Sequence, residues 1–293
     1  MRRWGVLRKA ALVLASLVAT GASADRPGRE ASYVLAEGRT VVSPAGERAS
    51  AVRGTVVVRD GTARWDLESG TFPRSAASTI VLGDRGGWLL AGDASVAARA
   101  MPEDLTALWV PAPATDEGPF RSVVRGLAIT PPMVSPGPTY EGRPARRHRL
   151  TAVWNLETST PGRVSTARTR LVATVVAVED VGDEVRSPLD GFDRLLDLPG
   201  PVRQEVAAAF GGIPGWAVSV VVETESELSS ELPGIQVAPP DGQRPLKTRV
   251  ETVRTVSGLV LRPAVDGAPT FALPEKTRVV GIERLVTLRE PLR

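Results

Sequence analysis

The stretch from Ala51 to Ser69, AVRGTVVVRDGTARWDLES, constrains the fold more than any other part of the chain. It predicts an antiparallel β-hairpin, because Asp60-Gly61 suits a two-residue type I′ turn, in which both central residues have a positive φ. Closing the turn there makes one face apolar, with the pairs Val58 and Ala63, Val56 and Trp65, and Gly54 and Leu67. The other face is mostly polar and ends in the opposite charges of Arg53 and Glu68. A slip of one residue would mix the two faces, so the sequence specifies the register.

Further strands are predicted elsewhere in the chain, and one of them, Thr169–Val178, is apolar enough to be covered on both faces. Alternating or continuous apolar runs indicate them at Ala31–Ser43, Thr79–Gly83, Gly87–Ala91, Arg121–Ile129, Arg147–Thr158, Thr169–Val178, Trp216–Glu223, Leu246–Val256, Gly258–Arg262 and Arg278–Leu288. The 25 prolines and 28 glycines favour many turns over long helices. A proline-rich loop over residues 130–144 is either a domain boundary or a long excursion between strands.

A helical insertion is predicted over residues 188–212. Phe192, Leu195 and Leu196 form an apolar stripe, and Pro201 suits the first turn of a second helical segment. The patterns together predict a mainly β protein, built as one strongly curved antiparallel sheet, or half-barrel, with this helical insertion. A two-sheet β-sandwich of the same strands is the alternative. We expect a single β-rich domain over residues 25–293.

The N-terminus indicates export. Residues 1–24 combine four basic residues near the start, a short apolar run and the small residues Ala22-Ser23-Ala24, which is typical of a secretory signal peptide cleaved after Ala24. The expected location is therefore the periplasm or the extracellular space. Cleavage leaves 32 basic and 33 acidic residues, so the net charge falls from +3 to −1. Without a basic surplus, the composition gives no support for a nucleic-acid partner.

The sequence contains little that indicates catalysis. It has no cysteine, which excludes disulfides and cysteine–metal sites, and its single histidine, His148, is expected at the surface or at a strand end. A hydrolase that uses His148 or a carboxylate pair is a minor alternative, because no Gly-x-Ser-x-Gly motif is present. The acidic residues of 179–184 and of 223–227 lack the spacing of a metal-binding loop, so we predict no catalytic residue, metal or cofactor.

One octapeptide occurs twice in similar form. Thr62–Ser69 reads TARWDLES and Thr151–Thr158 reads TAVWNLET, with five of eight positions identical. Either a duplicated half-sheet or two strands that share a pattern by chance explains the similarity.

Several features in chain order carry a family resemblance. They are a signal peptide, a Gly-x-Val-x-Val-x-x-Gly-x-x-Arg-x-Asp hairpin, a second hairpin, a strand opening and a late Phe-x-x-Pro, with the residues Gly54, Val56, Val58, Gly61, Arg64, Asp66, Asp84, Trp88, Gly142, Pro144, Ala145, Arg147, Phe271 and Pro274. This order resembles the lipoprotein-carrier-like half-barrel proteins of bacterial envelopes, including their uncharacterised secreted relatives, over about residues 30 to 285. The resemblance implies a curved sheet with an apolar concave face closed by helices, and no catalytic residues.

The expected function is that of an exported envelope protein that binds a hydrophobic ligand. A lipid, an acyl chain or an acylated envelope lipoprotein would lie in the concave face of the sheet. If the resemblance holds, the concave face and its cover consist of Val56, Val58, Trp65, Leu67, Phe192, Leu195 and Leu196. A structural or protein-interaction module of the envelope without a ligand cavity is the alternative.

Overall fold

The computed structural model describes residues 29–59, 61–72, 75–83, 85–92, 94–101, 104, 108, 121–160, 163–179, 181, 192, 196–231, 246–263 and 271–286. Within them the protein is mainly β, as predicted, and its 13 strands belong to one open sheet. The alternative of a two-sheet sandwich is therefore wrong. The expected signal peptide, Asp60 of the predicted turn and most of the 188–199 segment lie outside the described residues.

The elements of the described residues are named in chain order. The strands are β1 (Arg29–Ser43), β2 (Gly46–Arg59), β3 (Thr62–Gly70), β4 (Ala77–Gly83), β5 (Gly86–Ala91), β6 (Val96–Ala100), β7 (Arg121–Ile129), β8 (Met133–Pro136), β9 (Ala145–Thr160), β10 (Arg163–Val178), β11 (Trp216–Glu231), β12 (Leu246–Pro263) and β13 (Arg278–Val280). The helices are α1 (Gly200–Gly211) and α2 (Ile282–Val286).

The sheet joins two meanders of sequential strands. Its order is β13-β6-β5-β4-β3-β2-β1-β12-β11-β10-β9-β7, and β8 pairs with the beginning of β9. Every pair is antiparallel except β13 with β6, which is parallel. The long pairing of β1 with β12 connects the two halves of the chain. The proline-rich segment therefore contains β8, which continues the edge of the sheet beside β9.

The sheet curves around its main hydrophobic core. This core includes Leu89 of β5 and Leu171 of β10, and both side chains are fully buried. Seven strand spacings separate these strands in the sheet order, which is about 34 Å in a flat sheet. A single core that reaches both strands therefore requires strong curvature, as the sequence predicts.

The central hairpin has the predicted register over most of its length. β2 and β3 pair from Arg59 with Thr62 to Gly54 with Leu67, and a bulge then sets Arg53 opposite Ser69. The predicted charge pair of Arg53 with Glu68 is therefore wrong. The backbones approach closely at this point, because a Cβ atom on Gly54 would lie 2.0 Å from the backbone oxygen of Asp66. Glycine thus permits the distortion that shifts the outer part of the register.

Two predictions for the last third of the chain are wrong. The segments Leu246–Val256 and Gly258–Arg262 form one strand, β12, because Gly258 adopts φ 65° within a bulge against β1 instead of ending the strand. The segment Arg278–Leu288 was predicted as one strand, but only β13 is extended and α2 follows it. A short apolar run has no periodicity that distinguishes a helix from a strand, and Gly281 separates the two elements.

Helix α1 packs its apolar stripe against the core. Val202, Val206 and Phe210 recur every four residues and are its buried residues. Pro201 lies in the first turn, where its missing N–H costs no intrahelical hydrogen bond. The helix ends before Gly212, whose N–H donates to the carbonyl of Ala208.

Candidate functional site

Cross-strand register defines an inner and an outer face of the sheet. We call inner the face that carries Val56 of β2, Trp65 of β3 and Ile80 of β4, which lie directly opposite one another. On β10 the same face carries Leu171, Ala173 and Val175, as the pairings through β12 and β11 show. The inner face is apolar in both halves of the sheet, so its cover decides where a ligand has access.

The inner face of β9 to β11 is closed over its central part, whereas Leu156 of β9 is partly exposed and Leu228 of β11 is 40% exposed. Leu171, Ala173, Val175 and Ala177 of β10 are each 0% exposed. They share one core with the covering residues Phe192, Leu196, Val202, Val206 and Phe210. A ligand therefore has no access to this central part without displacing the side chains that cover it.

The inner face of β3 is more open. Ala63, Trp65 and Leu67 all remain partly exposed, and we call these three residues the β3 strip. Their neighbours on both sides are buried, since Val56 of β2 is 3% exposed and Ile80 of β4 is 4% exposed. The strip is therefore a line of partly exposed apolar residues between two buried strands, about 14 Å long from Ala63 to Leu67.

The β3 strip follows the junction of two cores. Trp65 packs against both of them, Leu67 against the main core and Ala63 against a second core, which contains Val56 and Val58. The second core also contains Tyr33 and Trp216, whose rings meet edge to face with centroids 5.4 Å apart.

The predicted site residues are thus divided between these cores. Phe192 and Leu196 are buried in the main core, which Trp65 and Leu67 contact, whereas Val56 and Val58 are buried in the second. Leu195 lies outside the described residues. The structure therefore brings Trp65, Leu67, Phe192 and Leu196 to one core and leaves Val56 and Val58 as the wall on the other side of the strip.

The indole of Trp65 contains an unsatisfied donor. Its Nε1 atom is buried and has no hydrogen-bond acceptor among the residues that the structure describes. Its ring meets that of Phe72 edge to face, with centroids 5.6 Å apart, so its surroundings are apolar. A buried N–H group without an acceptor costs about 1–3 kcal/mol, which makes this atom the most unusual feature of the strip.

Sequence reasoning missed a buried ion pair on the inner face. Glu37, which is 4% exposed, forms a salt bridge with Arg254. The guanidinium carbon of Arg254 lies 4.9 Å from the ring centroid of Phe192. This is a cation–π contact between β12 and Phe192. The alternation Ala31, Tyr33, Leu35, Glu37 on β1 is the signal that would have revealed it, because it places a carboxylate on an apolar face.

A second buried carboxylate, Glu30, lies on the outer face. It is 1% exposed and is held by Arg59 at 2.6 Å and by Arg262 at 2.6 Å. Burial raises the pKa of Glu30, but hydrogen bonds and charge from Arg262 and Arg59 outweigh burial and hold the pKa below its ordinary value. Glu30 and Glu37 lie on opposite faces with separate arginine partners, so they do not form a carboxylate pair that shares a substrate.

His148 is buried, which corrects the expectation of a surface or strand-end histidine. It is 4% exposed within β9, because Val175 of β10 and Val134 of β8 flank it in the sheet. Burial lowers its pKa, the charge of Arg146 lowers it further, and Glu179 opposes them. No hydroxyl or carboxylate of the described chain hydrogen-bonds to its Nε2, so these residues do not form a nucleophile–histidine pair.

Three residues of the predicted acidic clusters form ion pairs with basic neighbours. Glu179 contacts Arg146 at 2.6 Å, and Glu223 and Glu227 of β11 contact Arg249 and Lys247 of β12. Asp180, Asp183 and Glu184 lie outside the described residues. Within the described ranges, no group of acidic or histidine side chains is arranged to hold a metal ion.

The outer face has two open grooves lined by described residues. One, of about 430 Å³, crosses β9 to β12 and has basic residues on β10 and β12 with acidic ones on β11. The other, of about 270 Å³, lies over Gly38, Ala49 and Ala51. The lining of the larger groove carries four basic and two acidic side chains, so its net charge is positive.

No protein-family model matches the chain, and no curated protein sequence matches it. None of the helices in the described part of the chain has the length and apolar character needed to cross a membrane.

Proposed function

We propose that this protein is an exported, non-enzymatic envelope protein that binds the acyl chain of a lipid or of an acylated partner along the β3 strip. The observation that carries the proposal is the partial exposure of Ala63, Trp65 and Leu67 between two buried strands. Ligand sites are usually apolar concavities with few polar groups, and a linear chain suits a narrow strip. The proposed export rests on the signal-like residues 1–24.

The charges around the hairpin support an apolar ligand. Arg64 contacts Asp66 at 2.7 Å, Thr79 donates to Asp66 at 2.8 Å and Thr55 donates to Glu68, all on the outer face. These polar groups of β2 to β4 therefore pair with one another on the face opposite the strip. The strip offers a ligand aliphatic and aromatic surface and one indole N–H.

The packing of Phe192 and of α1 supports the proposal that the ligand lies beside α1 and not beneath it. The ring of Phe192 has two neighbours. The guanidinium carbon of Arg254 lies 4.9 Å from its centroid, and the centroid of the Phe210 ring lies 6.2 Å from it. The core under α1 is already filled by β10 side chains with no exposure.

The first test is native mass spectrometry of the full chain after export, with solvent extraction of bound material. We expect an acyl lipid near one molecule per protein, and saturable uptake of dodecane or methyl dodecanoate by stripped protein. A mass equal to the apoprotein together with no uptake of either compound would contradict the proposal. That result would favour an interaction module without a ligand cavity.

A matched pair of variants locates the site. Ala63→Leu fills the strip, whereas Ala51→Leu makes the same change at an exposed position on the outer face of β2. We expect Ala63→Leu to weaken chain binding at least about fivefold, which is about 1 kcal/mol, and Ala51→Leu to have no effect. Equal effects of the two variants, with both proteins folded, would place the ligand elsewhere.

A further inference from the structure

The chemistry of the ligand follows from the single polar atom of the strip. Trp65 Nε1 is buried, and no described residue accepts its hydrogen bond. The residues directly across from Trp65 are Val56 and Ile80, and Phe72 packs against its ring, so none of these side chains can accept. A buried donor surrounded by apolar groups needs an acceptor from outside these side chains, which is either an ordered water or an atom of a ligand.

We infer that the bound molecule presents a neutral carbonyl oxygen, from an acyl ester or amide, to Nε1 of Trp65. This inference rests on the proposed function and adds the polar end of the ligand to it. The chain would extend from this carbonyl along the β3 strip towards Ala63 or Leu67, both of which are partly exposed and apolar.

A carboxylate is a poorer ligand than a neutral carbonyl at this position. The arginine next to Trp65 in sequence, Arg64, is paired with Asp66, and Arg59 is paired with Glu30, both on the outer face. A carboxylate beside Trp65 would therefore be removed from water without a counter-charge, which is unfavourable. Free fatty acids should bind less tightly than their esters, although their chains are the same.

Three ligands of equal chain length separate the contributions. Displacement of the fluorescent apolar probe N-phenyl-1-naphthylamine from the stripped full-length protein would be measured with dodecane, methyl dodecanoate and sodium dodecanoate at pH 8. We expect the ester to bind about three- to tenfold tighter than dodecane, the usual contribution of one hydrogen bond, and tighter than the carboxylate. Carboxylate binding equal to or tighter than ester binding would overturn the assignment of a neutral carbonyl.

Trp65→Phe removes the donor and retains an aromatic ring, and Trp88→Phe makes the same change on the outer face of β5. Trp65→Phe should weaken ester binding about three- to tenfold and leave dodecane binding nearly unchanged. Equal losses for both ligands would assign Trp65 a shape role only and overturn the inference. Failure of all three ligands to bind the wild-type protein would instead contradict the proposed function.

Nuclear magnetic resonance of the tryptophan indole groups gives a direct readout. With nitrogen-15-labelled protein, the Trp65 indole signal is assigned by its loss in Trp65→Phe. We expect its proton resonance to move downfield on addition of methyl dodecanoate and to show no such shift with dodecane. Ester binding that leaves this resonance in place would show that the carbonyl lies elsewhere.

Discussion

The two related octapeptides of the chain occupy the same kind of position in the sheet and differ in accessibility. In β3 the pattern sets Ala63, Trp65 and Leu67 on the inner face, and in β9 it sets Ala152, Trp154 and Leu156 there. Ala152 is 0% and Trp154 is 4% exposed, whereas Ala63 and Trp65 both remain partly exposed. The same local sequence thus gives a buried alanine and tryptophan in β9 and partly exposed ones in β3, whereas Leu156 and Leu67 are both partly exposed.

The difference arises from what lies above each strand. The main core buries the side chains of α1 and of Phe192 together with those of the central part of β9 to β11. The β3 strip lies where the main core meets the second core, and its residues are only partly covered. An apolar strand face is therefore an indication of burial, but contacts far apart in sequence decide whether it becomes core or binding surface.

The largest expected effect is a difference between the two tryptophans. Trp154→Ala should lower the free energy of unfolding by about 3–5 kcal/mol, because it leaves a cavity in a closed core. Trp65→Ala should cost about 1–3 kcal/mol, because its side chain is already partly exposed and its N–H is unsatisfied. Urea unfolding followed by circular dichroism measures both, and equal losses would contradict the contrast between closed core and open strip.

The second expected effect comes from enlarging the two alanines. Ala152→Leu should destabilise the protein by about 1–3 kcal/mol, because the added atoms have no space in a closed core. Ala63→Leu should change stability by less than about 0.5 kcal/mol, because its side chain can extend into solvent. The same unfolding experiment distinguishes them, and a large loss for Ala63→Leu would show that the strip is closed.

The third expectation concerns pH and is specific to the β9 half. Burial, with the charge of Arg146, holds the pKa of His148 below its ordinary value of 6.5. As the pH falls through 6.5, the unfolded chain therefore binds more protons than the folded protein. The stability that the neutral, buried His148 provides is fully present above pH 6.5 and is lost as the pH falls through its lowered pKa. We expect His148→Gln to reduce the loss of unfolding free energy between pH 7.5 and pH 5.5.

Trp65→Phe is the control for this measurement, because it changes the β3 half and adds no titrating group. It should retain the acid sensitivity of the wild-type protein over the same range. A His148→Gln protein with unchanged pH dependence would show that another group controls stability in this window.

Much of the sheet could be predicted from alternation and turn chemistry. The register of the central hairpin is confirmed as far as Gly54, and β7 has the predicted bounds of Arg121–Ile129. The predicted pair of Arg53 with Glu68 is wrong because Gly54 allows the two backbones to approach and a bulge to form. The prediction of an exposed His148 is wrong because its burial between β8 and β10 depends on pairing between segments that are distant in sequence.

The sequence by itself determined which residues alternate, where turns occur and which face of each strand is apolar, because these depend on side chains a few positions apart. Only the tertiary structure decided that β1 pairs with β12, that one curved sheet replaces a sandwich, and that Glu37 lies buried against Arg254. It also decided that Trp154 is closed in the core while Trp65 remains at an accessible junction. The physical reason is that burial depends on the whole set of distant segments that covers a side chain, whereas alternation depends only on its own strand.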